Sequence, residues 1–222
     1  MRVYARRLSA MAVVLVGLGG ASLTAYADCS REVHQAFARQ SNSEKVRKEM
    51  NLIGEQGPFR MTIEYVKPDR MRQVVTTLTD PDKPVETILI GKEAWSRAGG
   101  DWGKVDPDTT AQLIEFFKST LADIPSNVGR FECMGAETID GQKVRAYKGL
   151  PPEDPSGKPK TAAEKEAEAK NEGVRVVYLD IETGLPARII FAQAGHLDTP
   201  IFREVYAYPE TLEIEAPKIT KP

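Results

Sequence analysis

Apolar and polar residues alternate with a period of two along much of the chain, most cleanly between Gly57 and Val105. Phe59, Met61, Ile63 and Tyr65 are interleaved with Arg60, Thr62 and Glu64, which lays one side of a strand on an apolar face. Lys67-Pro68-Asp69 turns the chain, since proline fixes φ and aspartate bonds its own backbone. Met71–Leu78 is a second strand, Asp80-Pro81-Asp82-Lys83-Pro84 a second turn, and Val85–Ile90 a third strand. Gly91-Lys92 and Gly99-Gly100 then bracket two short pieces, one carrying Trp95 and the other Trp102. Such strands joined by tight turns predict an antiparallel meander. Further on, Arg130–Ile139 and Lys143–Gly149 read as a hairpin across Asp140-Gly141, and Val174–Asp180 and Ala187–Gln193 flank a turn at Glu182–Pro186. Phe202–Tyr208 and Leu212–Ile214 complete about nine to eleven strands, a sheet long enough for its twist to curl it toward a barrel.

Two stretches change period. Val33, Phe37, Val46, Met50 and Ile53 fall near one helical stripe, so Ser30–Gly54 reads as helix, divided at Ser41-Asn42-Ser43 with Ser43 capping the second piece. From Pro107, Leu113, Ile114, Phe116, Phe117 and Leu121 recur at helical spacing, capped by Asp106 or Asp108 and stopped by Pro125. Residues 150–172 hold prolines followed by AAEKEAEAK, without core-building residues, and read as a solvated, charged hairpin insert with a short exposed helix. The fold class is therefore mainly β (α+β): one domain over 28–216, a curved antiparallel sheet forming an unclosed half-barrel covered by one or two amphipathic helices, with 217–222 a loose tail.

Composition assigns a compartment. Arg2, Arg6 and Arg7 precede the apolar run Leu8–Leu23, and Ala25-Tyr26-Ala27 offers a small-x-small cleavage site, so residues 1–27 read as a cleaved signal peptide and the remainder as a periplasmic protein. The apolar run is short for a membrane span. Asp28 stands where a lipoprotein signal wants a small residue, which argues against lipidation of Cys29. Without the three arginines, 27 basic side chains face 32 acidic ones, a net charge of −5. That balance gives no sign of nucleic-acid binding or of charge-driven membrane binding. Cys29 and Cys133, the only cysteines, read as a disulfide in an oxidising compartment, since a redox pair or a metal site lacks supporting spacing. We expect a monomer.

Candidate chemistry is sparse. His34 and His196 have no metal-ligand spacing, no serine lies in GxSxG, and there is no phosphate-cradling loop or cofactor fingerprint. Asp180 and Glu182 resemble a carboxylate pair, but beside Gly184 and Pro186 they fit turn geometry better. No enzyme, cofactor or metal is expected. Met61, Ile63, Tyr65, Met71, Ile88, Ile90, Trp95, Phe116, Phe117, Tyr178, Ile189 and Phe191 could instead line an apolar pocket, where methionine adapts to varied ligands and aromatics suit a wet–dry boundary.

PDRMR (Pro68–Arg72), IGKEAW (Ile90–Trp95), GDWGKV (Gly100–Val105), the following amphipathic helix and VYLDIETGLPARIIF (Val177–Phe191) occur in an order that resembles the bacterial outer-membrane lipoprotein carrier superfamily, the periplasmic Lol-type carriers and their relatives. The resemblance spans roughly Arg31 to Glu215. It implies an unclosed barrel whose inner face, lidded by helices, shelters acyl chains. It also implies a lid-holding role for Arg72, with Arg70 an equal candidate, and places Asp180 at the family's aspartate before the glycine–proline turn. The charged insert, the cysteine pair and the tryptophan segments depart from the classical carriers. The function expected is therefore broad: a non-enzymatic periplasmic carrier or sensor binding an acyl chain, lipid or acylated protein. The alternative is an envelope regulatory or scaffold domain of the same fold that binds a protein partner, through the insert and the edge strands, without lipid cargo.

Overall fold

The computed structural model describes residues 22–54, 57–122, 129–151, 161 and 173–219. Helix α1 (Ser22–Ser41) leads into β1 (Lys45–Gly54), β2 (Gly57–Val66), β3 (Arg70–Thr77), β4 (Val85–Ile90), β5 (Glu93–Ala98) and the short β6 (Gly103–Lys104). Helix α2 (Pro107–Ala122) follows, then β7 (Phe131–Ile139), β8 (Gln142–Gly149), β9 (Gly173–Asp180), β10 (Pro186–Gln193) and β11 (Phe202–Ala207). All 11 strands form one sheet in the order β6-β5-β4-β3-β2-β1-β11-β10-β9-β8-β7. Every pairing is antiparallel, and the sheet stays open between β6 and β7, an unclosed half-barrel with two helices. At Asp140-Gly141 both turn residues have positive φ (51° and 82°), the backbone that a two-residue hairpin demands.

Residues directly opposite in an antiparallel ladder share a face, so the register sorts the side chains. Tyr65, Met71, Leu89 and Ala94 form one continuous row across β2, β3, β4 and β5, and all are buried. They belong to a single core cluster with Val33, Ala36 and Phe37 of α1 and Phe117 of α2, which defines the helix-covered inner face. The neighbouring row, Glu64, Arg72, Ile88 and Trp95, belongs to the outer face.

The two helices are held differently. Helix α1 packs Val33, Ala36 and Phe37 onto Phe131, Tyr147, Val177, Leu179 and Ile189, and burying a Val or Phe side chain contributes about 1.5–3 kcal/mol each. It is also fastened by the Cys29–Cys133 disulfide. The Glu32 carboxylate accepts from the Tyr147 hydroxyl and from Arg145 Nη1 at 2.9 Å, and Arg39 Nη2 donates to Gly184 O at 2.7 Å. In α2, Asp106 Oδ1 caps the first turn by accepting from Thr109 N at 2.9 Å. Phe117 packs on Tyr65 with ring centroids 5.7 Å apart, and Leu113 and Ile114 lean on the same cluster. Lys118, Ser119 and Thr120 make hydrogen bonds within α2.

The expected second helical piece is a strand. Val46, Met50 and Ile53 suit a helical stripe, but in β1 it is Val46, Lys48 and Met50 that point inward, and a buried lysine hides the alternation. Pairing with β2 on one side and β11 on the other satisfies both edges of β1, which outweighs its local helical preference. Leu212–Ile214 lies outside any strand. Its Leu212 and Ile214 are buried nonetheless, and Arg70 Nη1 donates to Ile214 O at 2.7 Å. The leader through residue 21, the Pro125 helix stop and the insert's expected helix lie outside the described residues.

Two outcomes test this framework. Reducing the disulfide, or replacing both cysteines by serine, should lower the urea-unfolding free energy by about 4 kcal/mol, because a long loop is released in the unfolded chain. The Tyr147 hydroxyl holds the Glu32 carboxyl below its ordinary range, against the opposing effect of burial and with help from Arg145. A carboxylate depressed in the folded state contributes stability above its unfolded pKa of about 4.3, and that contribution is lost as pH falls through the folded value. Urea midpoints taken downward from pH 5 should therefore fall less steeply in Glu32→Gln than in the wild type.

Candidate functional site

Along the inner row the side chains shrink toward the sheet edge, from Tyr65 through Met71 and Leu89 to Ala94. Helix α2 spans this taper, and space opens beneath it. The result is a cavity of about 790 Å³ walled by Leu89, Ala94 and Val105 of the sheet side and by Ala111, Ile114 and Phe117 of α2. Pro68, Gly91, Pro107 and Thr110 also line it, together with Lys92, Lys104, Lys118, Asp69 and Glu93. This volume lies within the ~300–1,000 Å³ range of small-molecule sites, and apolar walls with a few polar groups are their usual composition. Lys104 pairs with Glu93 at 2.6 Å and Lys118 with Glu115 at 3.3 Å, both exposed. Exposed pairs contribute little and are readily rearranged.

The half of the inner face under α1 is packed. A second cavity there, of about 200 Å³, is polar and lies between α1 and the strands, beside Glu32, Arg39, Arg145 and Asp180. The Asp180 carboxylate organises the following turn: Oδ1 accepts from Thr183 N at 2.7 Å, and Oδ2 accepts from Gln142 Nε2 at 2.8 Å. Burial raises the Asp180 pKa, but the Thr183 amide and the other donors outweigh it and hold the carboxyl below its ordinary value. No group of three or more His, Cys, Asp or Glu side chains suited to a metal ion occurs among the described residues.

The residues expected to line a pocket are divided by the structure. Phe117 lines the cavity, and Tyr65, Met71 and Ile63 lie in the inner cluster beside it. Met61 is half-buried against that cluster, and Ile189 belongs to the half under α1. Phe116 is 40% exposed, and Phe191 is 41% exposed. The Phe191 ring lies over Gly173, where a Cβ would stand 1.9 Å from it. Ile88, Ile90 and Trp95 are on the outer face, packed with Ile214 and Trp102. Tyr178 belongs to another outer cluster with Val144, Val176 and Ile190. Arg72 is also outside: its Nε donates to Glu86 Oε1 at 2.7 Å, and the guanidinium meets Glu64 at 3.5 Å. Because α2 covers the opposite face, neither Arg72 nor Arg70 holds this lid.

Leu89, Ala94 and Val105 were not singled out by pattern. Strand β4 is buried on both faces, by α2 within and by Ile214 without, so its run of apolar residues carries no parity signal. The signal that fixes it is pairing: Met71 opposite Leu89, and Leu89 opposite Ala94.

No protein-family model matches the sequence, and no curated protein matches it. Solved structures do. LprF from Mycobacterium bovis is 11% identical, with 86% of this chain and 97% of that one covered at a TM-score of 0.54. The lipoprotein LppX from Mycobacterium tuberculosis is 13% identical, over 85% and 99% of the two chains, at 0.52. A LolA superfamily protein from Nitrosomonas europaea matches more loosely, 8% identical over 82% and 91%, at 0.27. The chain thus shares its half-barrel fold with LprF and LppX. No helix among the described residues is long and apolar enough to cross a membrane.

The division between faces has a measurable consequence. Ile88→Ala should cost about 2–4 kcal/mol in urea unfolding yet leave the uptake of an apolar dye such as 1-N-phenylnaphthylamine unchanged. Reduced uptake in that variant would place Ile88 at the ligand after all.

Proposed function

We propose that the protein is exported, cleaved after Ala27, and holds an acyl chain or lipid non-covalently in the cavity beneath α2, as a carrier or sensor in the cell envelope. The observation that carries this reading is the cavity itself, which is apolar on its walls, polar at its rim and roofed by a helix that rests on packing. Each buried methylene contributes ~0.8 kcal/mol, so ten of them supply about 8 kcal/mol before the costs of association, enough for useful affinity without specific contacts. The half-barrel supplies a rigid floor, and α2 is the element able to lift and admit a chain.

Native mass spectrometry of protein purified from the periplasm tests the reading. The expected result is a polypeptide beginning at Asp28 that releases an acyl-bearing adduct on organic extraction. An empty cavity with a stably attached protein would overturn it in favour of a scaffold role. Ala111→Trp, on the cavity side of α2, should weaken 1-N-phenylnaphthylamine binding at least tenfold while leaving the unfolding midpoint close to wild type.

A further inference from the structure

One row of the inner face is polar along much of its length: Gln73 stands opposite Thr87, and Thr87 opposite Ser96, their two hydroxyls lying 3.3 Å apart. Lys48, Ile63 and Gln73 stand opposite one another across β1, β2 and β3, with Tyr65 next along β2 on the same inner face. Lys48, Tyr65 and Gln73 carry hydrogen-bond donors; the Tyr65 hydroxyl has no acceptor, and the other two have a weak or distant one.

The Tyr65 hydroxyl is fully buried with no hydrogen-bond partner. Thr120 stands beside it without good bonding geometry and gives its own proton to Phe116 O at 2.7 Å. Gln73 Nε2 is directed at Met61 Sδ, 3.0 Å away, and a thioether is a weak acceptor. Lys48 is 8% exposed, and its ammonium meets Glu204, 9% exposed, at 3.6 Å, longer than a charge-assisted hydrogen bond. Its remaining surroundings include the rings of Tyr65 and Tyr206, at 5.9 and 5.4 Å from Nζ to the centroids. An ammonium has three donors, so Lys48 keeps capacity after Glu204 is counted. Folded proteins rarely leave a buried donor unpartnered, and the Tyr65 hydroxyl is one, set on the inner face beside two further donors whose acceptors are weak or distant.

The charge of an acceptor that would serve them follows from the same residues. Lys48 and Glu204 cancel, and Tyr65 and Gln73 are neutral. A second carboxylate would lie against Glu204 in a poorly screened interior. A neutral oxygen meets no such repulsion. The ring of Tyr65 packs on Phe117, a wall of the cavity, so Tyr65 adjoins the apolar site. We propose that Lys48, Tyr65 and Gln73 form a hydrogen-bonding site for one acyl carbonyl oxygen, ester or amide, of the ligand held beneath α2. This assignment rests on the lipid-binding reading above.

Displacement of 1-N-phenylnaphthylamine by methyl laurate, laurate and tridecane, in the full-length mature protein, tests it. Wild type should prefer the ester over both the hydrocarbon and the free acid. Tyr65→Phe and Gln73→Leu should each cut the ester-over-hydrocarbon preference, taken as a ratio within each variant, about three- to tenfold, the worth of one hydrogen bond. Tyr65→Phe should be at least as stable as wild type, because it removes a buried hydroxyl that bonds to nothing. An unchanged preference in both variants overturns the assignment. So does Tyr65→Phe losing stability while keeping the preference, which would make the hydroxyl structural, or wild type preferring laurate to its ester. If the wild-type protein takes up no dye at all, the cavity reading itself fails, a result distinct from these.

Discussion

The pairing of β1 with β11 constrains everything else in this molecule. It joins the first and last strands at the centre of the sheet, so the chain runs outward from β1 to β6, crosses to β7 and returns inward to β11, leaving β6 and β7 as the free edges. Those edges are consecutive in sequence, and the segment between them contains α2. A link between opposite edges of one curved sheet has to traverse a face. An amphipathic helix crossing the inner face buries its apolar stripe there. The lid is therefore a consequence of strand order. The edges themselves are kept unattractive for pairing: β6 is only 2 residues long, and β7 is broken by a bulge near Gly135, at a φ of 109°.

The inner face then divides by how tightly each half is roofed. Helix α1 has buried apolar anchors, a disulfide and polar ties to three separate places on the sheet side: Tyr147 and Arg145, Gly184, and Tyr208 through Gln40 at 3.0 Å. Among its described side chains, helix α2 has one buried aromatic, Phe117, and two half-buried aliphatics, Leu113 and Ile114. The named anchors of α1 are all buried whereas two of those of α2 are only half-buried, and the disulfide adds to the difference. Elements at the low-stability end of a structure are the ones that open. The cavity lies under the helix that can move, and the fixed helix covers the half that is filled.

Most of the architecture was legible in the sequence, and the failures come where burial breaks the alternation of apolar and polar residues. Alternation placed Ile63 and Tyr65 correctly because β2 has polar residues between them. At β4 the run Ile88-Leu89-Ile90 is apolar throughout, since Ile214 covers one side and α2 the other, and a strand buried on both faces shows no period. Trp95 drew attention that its neighbour Ala94 deserved: a cavity needs a small residue on its floor, and composition-based reading favours large ones. The misread of β1 has the opposite origin, a polar residue where the pattern demanded an apolar one. Lys48 breaks the period of two and leaves Val46, Met50 and Ile53 looking helical. The position that defeated the pattern is Lys48, one member of the polar row, as expected where a residue is placed for something other than packing. The disulfide was readable by counting cysteines, and the Asp-Gly hairpin by turn chemistry.

Selectivity in such a site has to come from the interior. The lining at the cavity rim is close to charge balance, with Lys92, Lys104 and Lys118 against Asp69 and Glu93, and Glu115 already opposing Lys118. Exposed charges of mixed sign, screened over about 8–10 Å at ordinary ionic strength, discriminate poorly between head groups. Apolar walls discriminate poorly between chains, since each methylene adds a similar increment whatever it belongs to. Buried donors behave differently: a ligand that lacks the matching acceptor leaves them unsatisfied, and that penalty is larger than the gain of making the bond in water. On the proposed reading, the inner donors would set which amphiphile is retained, while the cavity would set how strongly. Placing them beside Phe117 also couples the two, because the ring that roofs the chain is the one that packs on Tyr65.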